Sequence, residues 1–239
     1  MPLNHPPRVV TREHWLEARK RFLYREKQFN RERDALNEAR RCLPWVKVDK
    51  TYIFDGDGGK SELSELFGKQ SQLVVYHFMY GLNWSSPCKS CSFWADNFNG
   101  IAIHLQHRDI KLVAVGHAPY PKLFALKKRM GWCFDFYSSY DTDFNFDFNV
   151  SFREPSDKSA KITYNYQEEP YSMDELPGVS VFYKDADGRI FHTYSTYSRG
   201  IDMLNGAYHL MDITPIGRDE KGLDYSMDWL RLHDSYDGE

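Results

Sequence analysis

The alternation of apolar and polar stretches divides most of the chain into short strands and helices. Runs rich in apolar and β-branched residues predict strands at residues 47–54, 73–79, 110–115, 134–138, 179–183 and 189–194. Apolar residues at helical spacing predict helices at residues 62–67, 91–107, 121–130 and 200–211. Residues 144–150 also alternate between apolar and polar side chains. Strands that alternate with helices and end in a hairpin predict an α/β domain whose sheet has a partly antiparallel edge.

A long amphipathic helix is predicted before this domain. The chain from Thr11, a helix-capping residue, to Pro44, a helix breaker, predicts a helix over Arg12–Arg41. Its large apolar residues recur at seven-residue spacing, at Trp15, Phe22, Phe29 and Leu36, with Leu16 and Leu23 beside them. These six residues form a narrow apolar seam, which packs against the parent domain or against the arm of a second copy.

The basic charge of the chain is concentrated in this N-terminal arm. Residues 8–41 hold eleven Lys and Arg against six Asp and Glu, a net charge of +5, so the rest of the chain carries −8 of the total of −3. A basic segment is typical of nucleic-acid binding, but the body shows neither a basic patch nor an RNA-reading motif. We therefore expect no nucleic-acid partner, and we expect the arm to pack on its own acidic domain. A homodimer through the arm is the alternative.

Length and composition are those of a globular protein with one large domain or two small ones. The 239 residues are 41% hydrophobic and 27% charged, and no apolar run approaches the roughly 20 residues of a membrane span. We divide the chain into a helical arm (1–45), a domain (46–215) that contains an inserted loop (151–176), and a C-terminal tail (216–239). Four cysteines are too few for a disulfide scaffold, and no secretory signal is recognisable. We expect a soluble protein of the cytoplasm without a membrane partner.

The stretch Cys88-Lys89-Ser90-Cys91 carries the most specific chemistry. It follows a buried strand and opens a helix, at the carboxyl end of a central strand, where α/β proteins place their sites. Two residues between cysteines at a helix start allow the sulfurs to meet within one turn, and the helix N-terminus stabilises a thiolate on the first. Cys88 is therefore the predicted nucleophile, and Cys91 is the thiol predicted to resolve a mixed disulfide.

Two structural interpretations of the same pair remain open. The pair could be half of a zinc site, but such a site needs two further ligands, and the other cysteines, Cys42 and Cys133, are isolated. The compact histidine pair of the following helix is His104 and His107. Alternatively, the pair could be two inert buried thiols. We expect neither a metal ion nor another cofactor.

Other residues of the cysteine loop are candidates for binding the substrate. Trp84, Ser85 and Pro87 lie within four residues of Cys88. The Ser85 hydroxyl could hydrogen-bond a peroxide or a thiolate sulfur, although a single loop serine is more often a structural residue. His77, in the middle of a predicted strand, is expected to be a hydrogen-bonded core residue.

Several stretches of the chain resemble known families. Residues 57–60 (DGGK) and 63–68 (LSELFG), followed by the apolar strand and the loop cysteine, resemble the beginning of the alkyl hydroperoxide reductase/thiol-specific antioxidant group. More closely, the chain is similar to an uncharacterised thioredoxin-like family, a domain of unknown function described as predicted dithiol–disulfide oxidoreductases. The shared stretches are residues 91–98 (CSFWADNF), 129–132 (RMGW), 143–145 (DFN), 191–197 (FHTYSTY) and 215–220 (PIGRDE).

The resemblance implies a thioredoxin-like fold, with a central mixed sheet flanked by helices, Cys88 as nucleophile and Cys91 as resolver. The chain departs from the related patterns at two places. Thioredoxins have a proline just before the strand that faces the cysteine pair, whereas here Val179 and Ser180 occupy that place and become candidate substrate contacts. Peroxiredoxins have a proline seven residues before the reactive cysteine, where this chain has Gly81.

Three functions are compatible with these features. The first is a dithiol–disulfide oxidoreductase that cycles Cys88 and Cys91 with a protein or small-molecule disulfide or thiol partner. The second is a thiol peroxidase in which Cys88 attacks a hydroperoxide and Cys91 resolves the sulfenic acid. The third is a non-enzymatic binding module that uses the aromatic residues of segment 132–152. The C-x-x-C spacing and Gly81 favour the first.

Overall fold

The computed structural model describes residues 7–154 and 160–236 of the chain. Its strands are β1 (Val46–Lys47), β2 (Ile53–Gly56), β3 (Gly59–Glu62), β4 (Gln72–Phe78), β5 (Ile110–Gly116), β6 (Asp135–Ser138), β7 (Lys161–Tyr164), β8 (Gln167–Pro170), β9 (Gly178–Lys184) and β10 (Ile190–Tyr197). Its helices are α1 (Arg12–Arg41), α2 (Leu63–Leu66), α3 (Lys89–Asp96), α4 (Ala102–Gln106), α5 (Tyr120–Arg129), α6 (Phe144–Asp147) and α7 (Gly206–Asp212), with a 3₁₀ helix at Ser198–Leu204.

The strands of the described chain form one large mixed sheet and a separate hairpin. The order in the large sheet is β1-β10-β9-β4-β5-β6-β2-β3, and β7 pairs with β8 outside it. Strands β4, β5 and β6 are parallel, whereas β9 is antiparallel to β4 and β10 is antiparallel to β9. Parallel strands joined through helices, next to an antiparallel pair, form the core of a thioredoxin-like fold. The predicted fold class is therefore confirmed.

Strand β4 is apolar along most of its length because both of its faces are covered. On one face, Tyr76 and Phe78 belong to a buried cluster that includes Cys91 of α3 and side chains of α5. On the other face, Leu73 and Val75 belong to a second cluster, formed with α2, β2 and α6. The cysteine pair thus lies on the α3 side of the sheet, at the carboxyl end of β4.

The predicted strand 47–54 is divided between two distant positions of the sheet. Strand β1 pairs with β10 at one edge, whereas β2 pairs with β3 and β6 near the other. The residues between them include the exposed Asp49 and Lys50, and the Lys50 ammonium donates to the Asp147 carboxylate at 2.6 Å. These charges keep the connecting segment at the surface, so the apolar pattern on either side does not become one strand.

Two predicted helices are interrupted by asparagines. The helix predicted at 91–107 is divided into α3 and α4. The side-chain amide of Asn97 donates to the Phe93 carbonyl at 2.7 Å, and its side-chain oxygen accepts from the Ala207 backbone amide at 3.2 Å. The 200–211 prediction becomes the 3₁₀ helix and α7, because Asn205 caps α7 by accepting from the Tyr208 amide at 3.1 Å. Short polar side chains that bind the backbone compete with a continuous helix.

The remaining segments differ from the predicted pattern in smaller ways. Residues 144–150 contain the short helix α6 rather than a strand. The inserted segment 151–176 contains the β7–β8 hairpin, and its residues 155–159 lie outside the described residues. The described part of the tail, 216–236, has neither helix nor strand, yet Leu230 within it is fully buried.

The arm forms the predicted helix but does not pack as expected. Thr11 caps α1, with its hydroxyl accepting from the His14 amide at 3.3 Å. None of the residues of α1 is buried against the rest of the described chain, and Phe22 and Phe29 of the seam are 53% and 63% exposed. The expected packing of the arm on its own domain is therefore wrong. Within the described ranges, no helix is both long and apolar enough to cross a membrane.

Candidate active site

Cys88 is the N-cap residue of α3, directly after the loop that leaves β4. Its amide donates to the Met79 carbonyl at 3.2 Å, and its carbonyl accepts from the Ser92 amide at 3.1 Å and the Ser92 hydroxyl at 3.0 Å. Its sulfur accepts a hydrogen bond from the Cys91 amide at 3.3 Å. The thiol of a cysteine thus takes the role that a serine or aspartate oxygen usually has at a helix start.

The two cysteines have opposite acidities and opposite exposures. Cys88 is half-buried, and hydrogen bonds from the Cys91 thiol and from the Cys91 and Ser90 amides lower the pKa of Cys88 to about 7. Cys91 is buried, and loss of solvation, together with its interaction with Cys88, raises the pKa of Cys91 well above its ordinary value. One accessible thiolate beside one protected thiol is an arrangement suited to thiol-based redox chemistry.

The loop between β4 and α3 is held by two side chains from other parts of the fold. The Trp84 indole N–H donates to the Asp174 carboxylate at 2.8 Å, which ties the loop to the end of the inserted segment. The Lys122 ammonium of α5 donates to the carbonyls of Leu82 and Trp84 at 3.1 and 3.2 Å. Gly81 lies at this crossing, where an added Cβ would stand 2.8 Å from the Trp84 ring. The absence of a side chain there lets the tryptophan close over the loop.

The predicted substrate contacts lie in different environments. Ser85 is exposed, and Pro87 is half-buried directly before Cys88. Val179 is 4% exposed and belongs to the same buried cluster as Cys91. Ser180 lies on the opposite face of the sheet, because neighbouring residues of a strand alternate. The structure therefore does not bring Ser180 to the cysteines, and the substrate role of the other residues stays a prediction.

Ser180 instead belongs to a buried polar chain across three strands. Its hydroxyl is 2.8 Å from the His77 Nε2 and 2.8 Å from the Ser195 hydroxyl, which is 2.7 Å from the His192 Nε2. Burial lowers the pKa of His77 to about 3, so this imidazole is neutral. His77 is a hydrogen-bonded core residue, as expected.

A cavity of about 320 Å³ opens beside the cysteine pair. Ser90 and Cys91 form part of its wall. Four aromatic side chains face each other around it, namely Tyr76, Trp94, Tyr164 and Tyr208. The remaining wall comes from the segment before β9, the 3₁₀ helix and the C-terminal tail. A chamber of this size, with mostly apolar walls, is typical of a site for a small organic molecule.

Sequence reasoning did not identify the tail as part of this site. Arg218 and Glu220 line the cavity, yet the tail carries no periodicity that would mark it as structured. A signal was present in the stretch 215–220 (PIGRDE), which is shared with the resembled family and contains both residues. Pro177, two residues before the expected proline position, also lines the cavity.

Arg129 and Arg199 are each engaged with a carboxylate. Arg129 donates to Asp234 at 2.6 and 2.9 Å, and Arg199 lies 3.4 Å from Asp202. Within residues 7–154 and 160–236, no group of three or more His, Cys, Asp or Glu side chains lies close enough together to hold a metal ion.

Comparisons with known proteins place the chain in a family. Similar solved structures include Peroxiredoxin Q from Xanthomonas campestris, with 13% identity and a TM-score of 0.47 over 69% of this chain and 92% of that one. Peroxidoxin BcpB from Mycobacterium tuberculosis is 14% identical, with a TM-score of 0.45 over 68% of this chain and 93% of its own. The mitochondrial 2-cys peroxiredoxin from Plasmodium falciparum is 15% identical, with a TM-score of 0.39 over 70% and 92%. No curated protein matches the chain. The model of the family described as "Bacterial protein of unknown function (DUF899)" matches residues 4–236, and the chain therefore belongs to this family, as the sequence resemblance predicted.

Proposed function

We propose that the protein is a thiol–disulfide oxidoreductase whose Cys88 and Cys91 alternate between a dithiol and a disulfide. The observation that carries this proposal is the pairing of a half-buried Cys88 of lowered pKa with a buried Cys91 of raised pKa on one helical turn. We place the reaction in the cytoplasm, where few cysteines and reduced thiols are the rule.

The proposed reaction moves two electrons from the protein to the substrate. The Cys88 thiolate attacks one sulfur of a disulfide RS–SR, which forms a mixed disulfide and releases RS⁻. The Cys91 thiol then loses its proton and attacks the Cys88 sulfur, which closes the Cys88–Cys91 disulfide and releases the second RS⁻. Each released thiolate takes up a proton from solvent.

The electrostatics of the pair give these steps their order. The Cys88 thiolate raises the pKa of Cys91, so Cys91 stays protonated while Cys88 waits for substrate. Once Cys88 is in a mixed disulfide its negative charge is gone, and Cys91 deprotonates more readily. The second attack is thus favoured only after the first has occurred.

Bis(hydroxyethyl) disulfide, a substrate too small to require a cavity, tests this proposal. We expect the reduced protein to release two thiols per chain, Cys88→Ser to release none from the pair, and Cys91→Ser to retain a mixed disulfide at Cys88. Cys133→Ser, at an exposed cysteine away from the pair, is the matched control and should behave as the unmodified protein. Release of thiol from the substrate by Cys88→Ser at the rate of the unmodified protein would exclude the proposal.

A thiol peroxidase that uses Cys88 is the second candidate, because a thiolate with a pKa of about 7 is equally suited to attack a hydroperoxide. In that reaction Cys88 and ROOH would give a sulfenic acid and ROH, and Cys91 would then form the disulfide with release of water. The groups that lower the pKa of Cys88 are Cys91 and Ser90 of its own helix, and the resolving thiol is one turn away, so we rank the oxidoreductase first. Rapid peroxide consumption by Cys91→Ser, with sulfenic acid at Cys88, would reverse this order.

The third candidate, a binding module formed by aromatic residues of segment 132–152, has the least support. Exposed rings would favour it, and Tyr140 is 43% exposed, but Trp132, Phe134, Phe136 and Phe144 are all at most 3% exposed. They pack inside the two core clusters on either side of the sheet.

A further inference from the structure

The cavity beside Cys91 is closed on one side by the protein's own C-terminal tail. Leu176 and Pro177, before β9, form one part of the wall, while Glu220, Ser226 and Met227 of the tail form another. The side chains of Met227, Trp229 and Leu232 pack against the cluster that contains Cys91. The tail thus covers the side of the cavity next to Cys91 and occupies space that a protein approaching from this side would need.

One carboxylate of the tail, that of Glu220, binds three groups beside the cavity. Glu220 Oε1 accepts from the Tyr208 hydroxyl at 2.6 Å, from the Trp229 indole N–H at 3.0 Å and from the Met227 amide at 3.1 Å. These three donors come from α7 and from two places in the tail. The convergence of three hydrogen bonds on one charged oxygen makes the covering tail part of the folded structure rather than a loose end.

The charged groups of the cavity are already paired with one another. The Arg218 guanidinium donates to Asp202 at 3.0 Å and to Asp212 at 2.7 Å, and it lies 3.9 Å from the Tyr208 ring centre. Arg199 lies 3.4 Å from the same Asp202. An anionic ligand would compete with these two carboxylates for Arg218, since the Arg199 side chain is 85% exposed, whereas an uncharged ligand contacts the aromatic walls without that competition.

We infer that this cavity selects small, uncharged, apolar or aromatic disulfides as substrates, and that the tail excludes protein disulfides. The inference rests on the proposed function and names its substrate class. An organic group in the cavity contacts Ser90 and Cys91 on the first turn of α3, which Cys88 caps. Cys88 caps this turn and does not itself line the cavity. The inference therefore places the disulfide of a bound ligand at the edge of the cavity nearest Cys88, where the two-electron exchange proceeds as written above.

Three oxidants of different size and charge test the inference with the full chain. Dithiodipyridine is aromatic and uncharged, dithiobis(nitrobenzoate) is aromatic and dianionic, and insulin presents protein disulfides. Each is mixed with reduced protein, and the rate of Cys88–Cys91 oxidation is divided by the rate of free dithiothreitol with the same oxidant. We expect the oxidation rate to saturate with rising dithiodipyridine concentration. The normalised rate with dithiodipyridine should be at least about tenfold higher than with the dianion. The protein should reduce insulin no faster than dithiothreitol does.

Two exposed positions of the tail provide matched variants. Ser226→Trp places a ring into the cavity from an exposed position, so the fold should tolerate it, and we expect the dithiodipyridine preference to fall about tenfold. Lys221→Trp adds the same ring to an exposed residue outside the cavity and should leave the preference unchanged. Lys221→Trp should also react normally with bis(hydroxyethyl) disulfide.

The outcomes separate the inference from the function on which it rests. Equal normalised rates for all three oxidants, or an unaltered preference in Ser226→Trp, would overturn the inference while Cys88-dependent reduction persists. Oxidation that does not depend on Cys88 for any disulfide would instead overturn the proposed function.

Discussion

At the scale of single residues, the chemistry depends on how Cys88 and Cys91 share one turn of α3. The hydrogen bond from the Cys91 amide to the Cys88 sulfur is stronger when the sulfur is negative, which favours the thiolate. Burial acts in the other direction on Cys91 and keeps it protonated. Two identical side chains three residues apart thus acquire different roles from position alone.

The difference in acidity predicts the pH dependence of alkylation. We expect iodoacetamide to modify Cys88 before Cys91, at a rate that is half-maximal near pH 7 and falls below it as the thiolate is protonated. In the denatured chain the same cysteine should titrate like a free thiol, with a pKa of about 8.5. Mass mapping after limited labelling across this pH range measures both curves. Preferential labelling of Cys91, or one common pH profile for folded and denatured protein, would contradict the assignment.

The roles of these two cysteines could be read from the sequence because they depend on local geometry. A C-x-x-C stretch that follows an apolar strand fixes the helix start, and the helix start fixes which thiol is favoured as thiolate. Ser180 could not be judged in this way. Its burial on the far face depends on the register of β9 against β4, which pairs Ser180 with Val75, and a shift by one residue would have reversed its direction.

At the scale of elements, the loop between β4 and α3 is positioned by contacts from distant segments. Asp174 of the inserted segment holds Trp84, and Lys122 of α5 holds two loop carbonyls. A hydrogen bond to a charged group contributes roughly 1.5–3 kcal/mol when its partner is protected from water. The inserted segment therefore has a positioning role at the site, which its polar sequence did not indicate.

This contact predicts the effect of Asp174→Ala. Loss of the carboxylate should let the Trp84 loop open about ten- to a hundredfold more often, because the hydrogen bond to Trp84 is lost while α3 stays packed. Hydrogen exchange of the amides at 80–86 is the measurement, with global unfolding by urea as the reference. Glu168→Ala, which removes an exposed carboxylate of β8 that pairs with Lys161, is the control. Unchanged exchange in the loop would show that the Asp174–Trp84 contact does not hold it.

The elements that sequence reasoning misjudged share a physical cause. The apolar pattern gave the places of β4, β5 and α5 closely, because these elements are buried in the middle of the fold. The end of α3 depends instead on Asn97, whose side chain accepts from the Ala207 amide more than a hundred residues away. The start of α7 depends on Asn205, whose side chain accepts from the Tyr208 amide in the next turn. Such partners are not visible in a local window of sequence.

At the scale of the whole molecule, the arm is basic and exposes an apolar seam, whereas the rest of the chain is acidic. The arm, residues 8–41, carries a net charge of +5 and the rest of the chain −8. Despite these opposite charges, the seam of α1 is exposed and does not pack against the arm's own domain. Two arms placed against each other would bring like charges together, whereas the arm of one copy against the acidic body of another would pair opposite charges. A stable interface buries roughly 800 Å² per partner, and reciprocal exchange would bury two arms and two receiving surfaces.

We therefore expect a homodimer in which each arm packs on the body of the partner copy. The double variant Phe22→Glu, Phe29→Glu adds two negative charges to the seam and should yield monomers in sedimentation or light-scattering measurements. Gln28→Glu with Ala35→Glu adds the same charge to the other side of α1, since a turn of about 100° per residue places these positions away from the seam, and should remain dimeric. The dimer should weaken as salt screens the opposite charges. A dimer that tightens with salt would indicate that the two arms pack against each other. A monomer with intact α1, or a dimer that the seam substitutions do not weaken, would exclude the reciprocal exchange of arms.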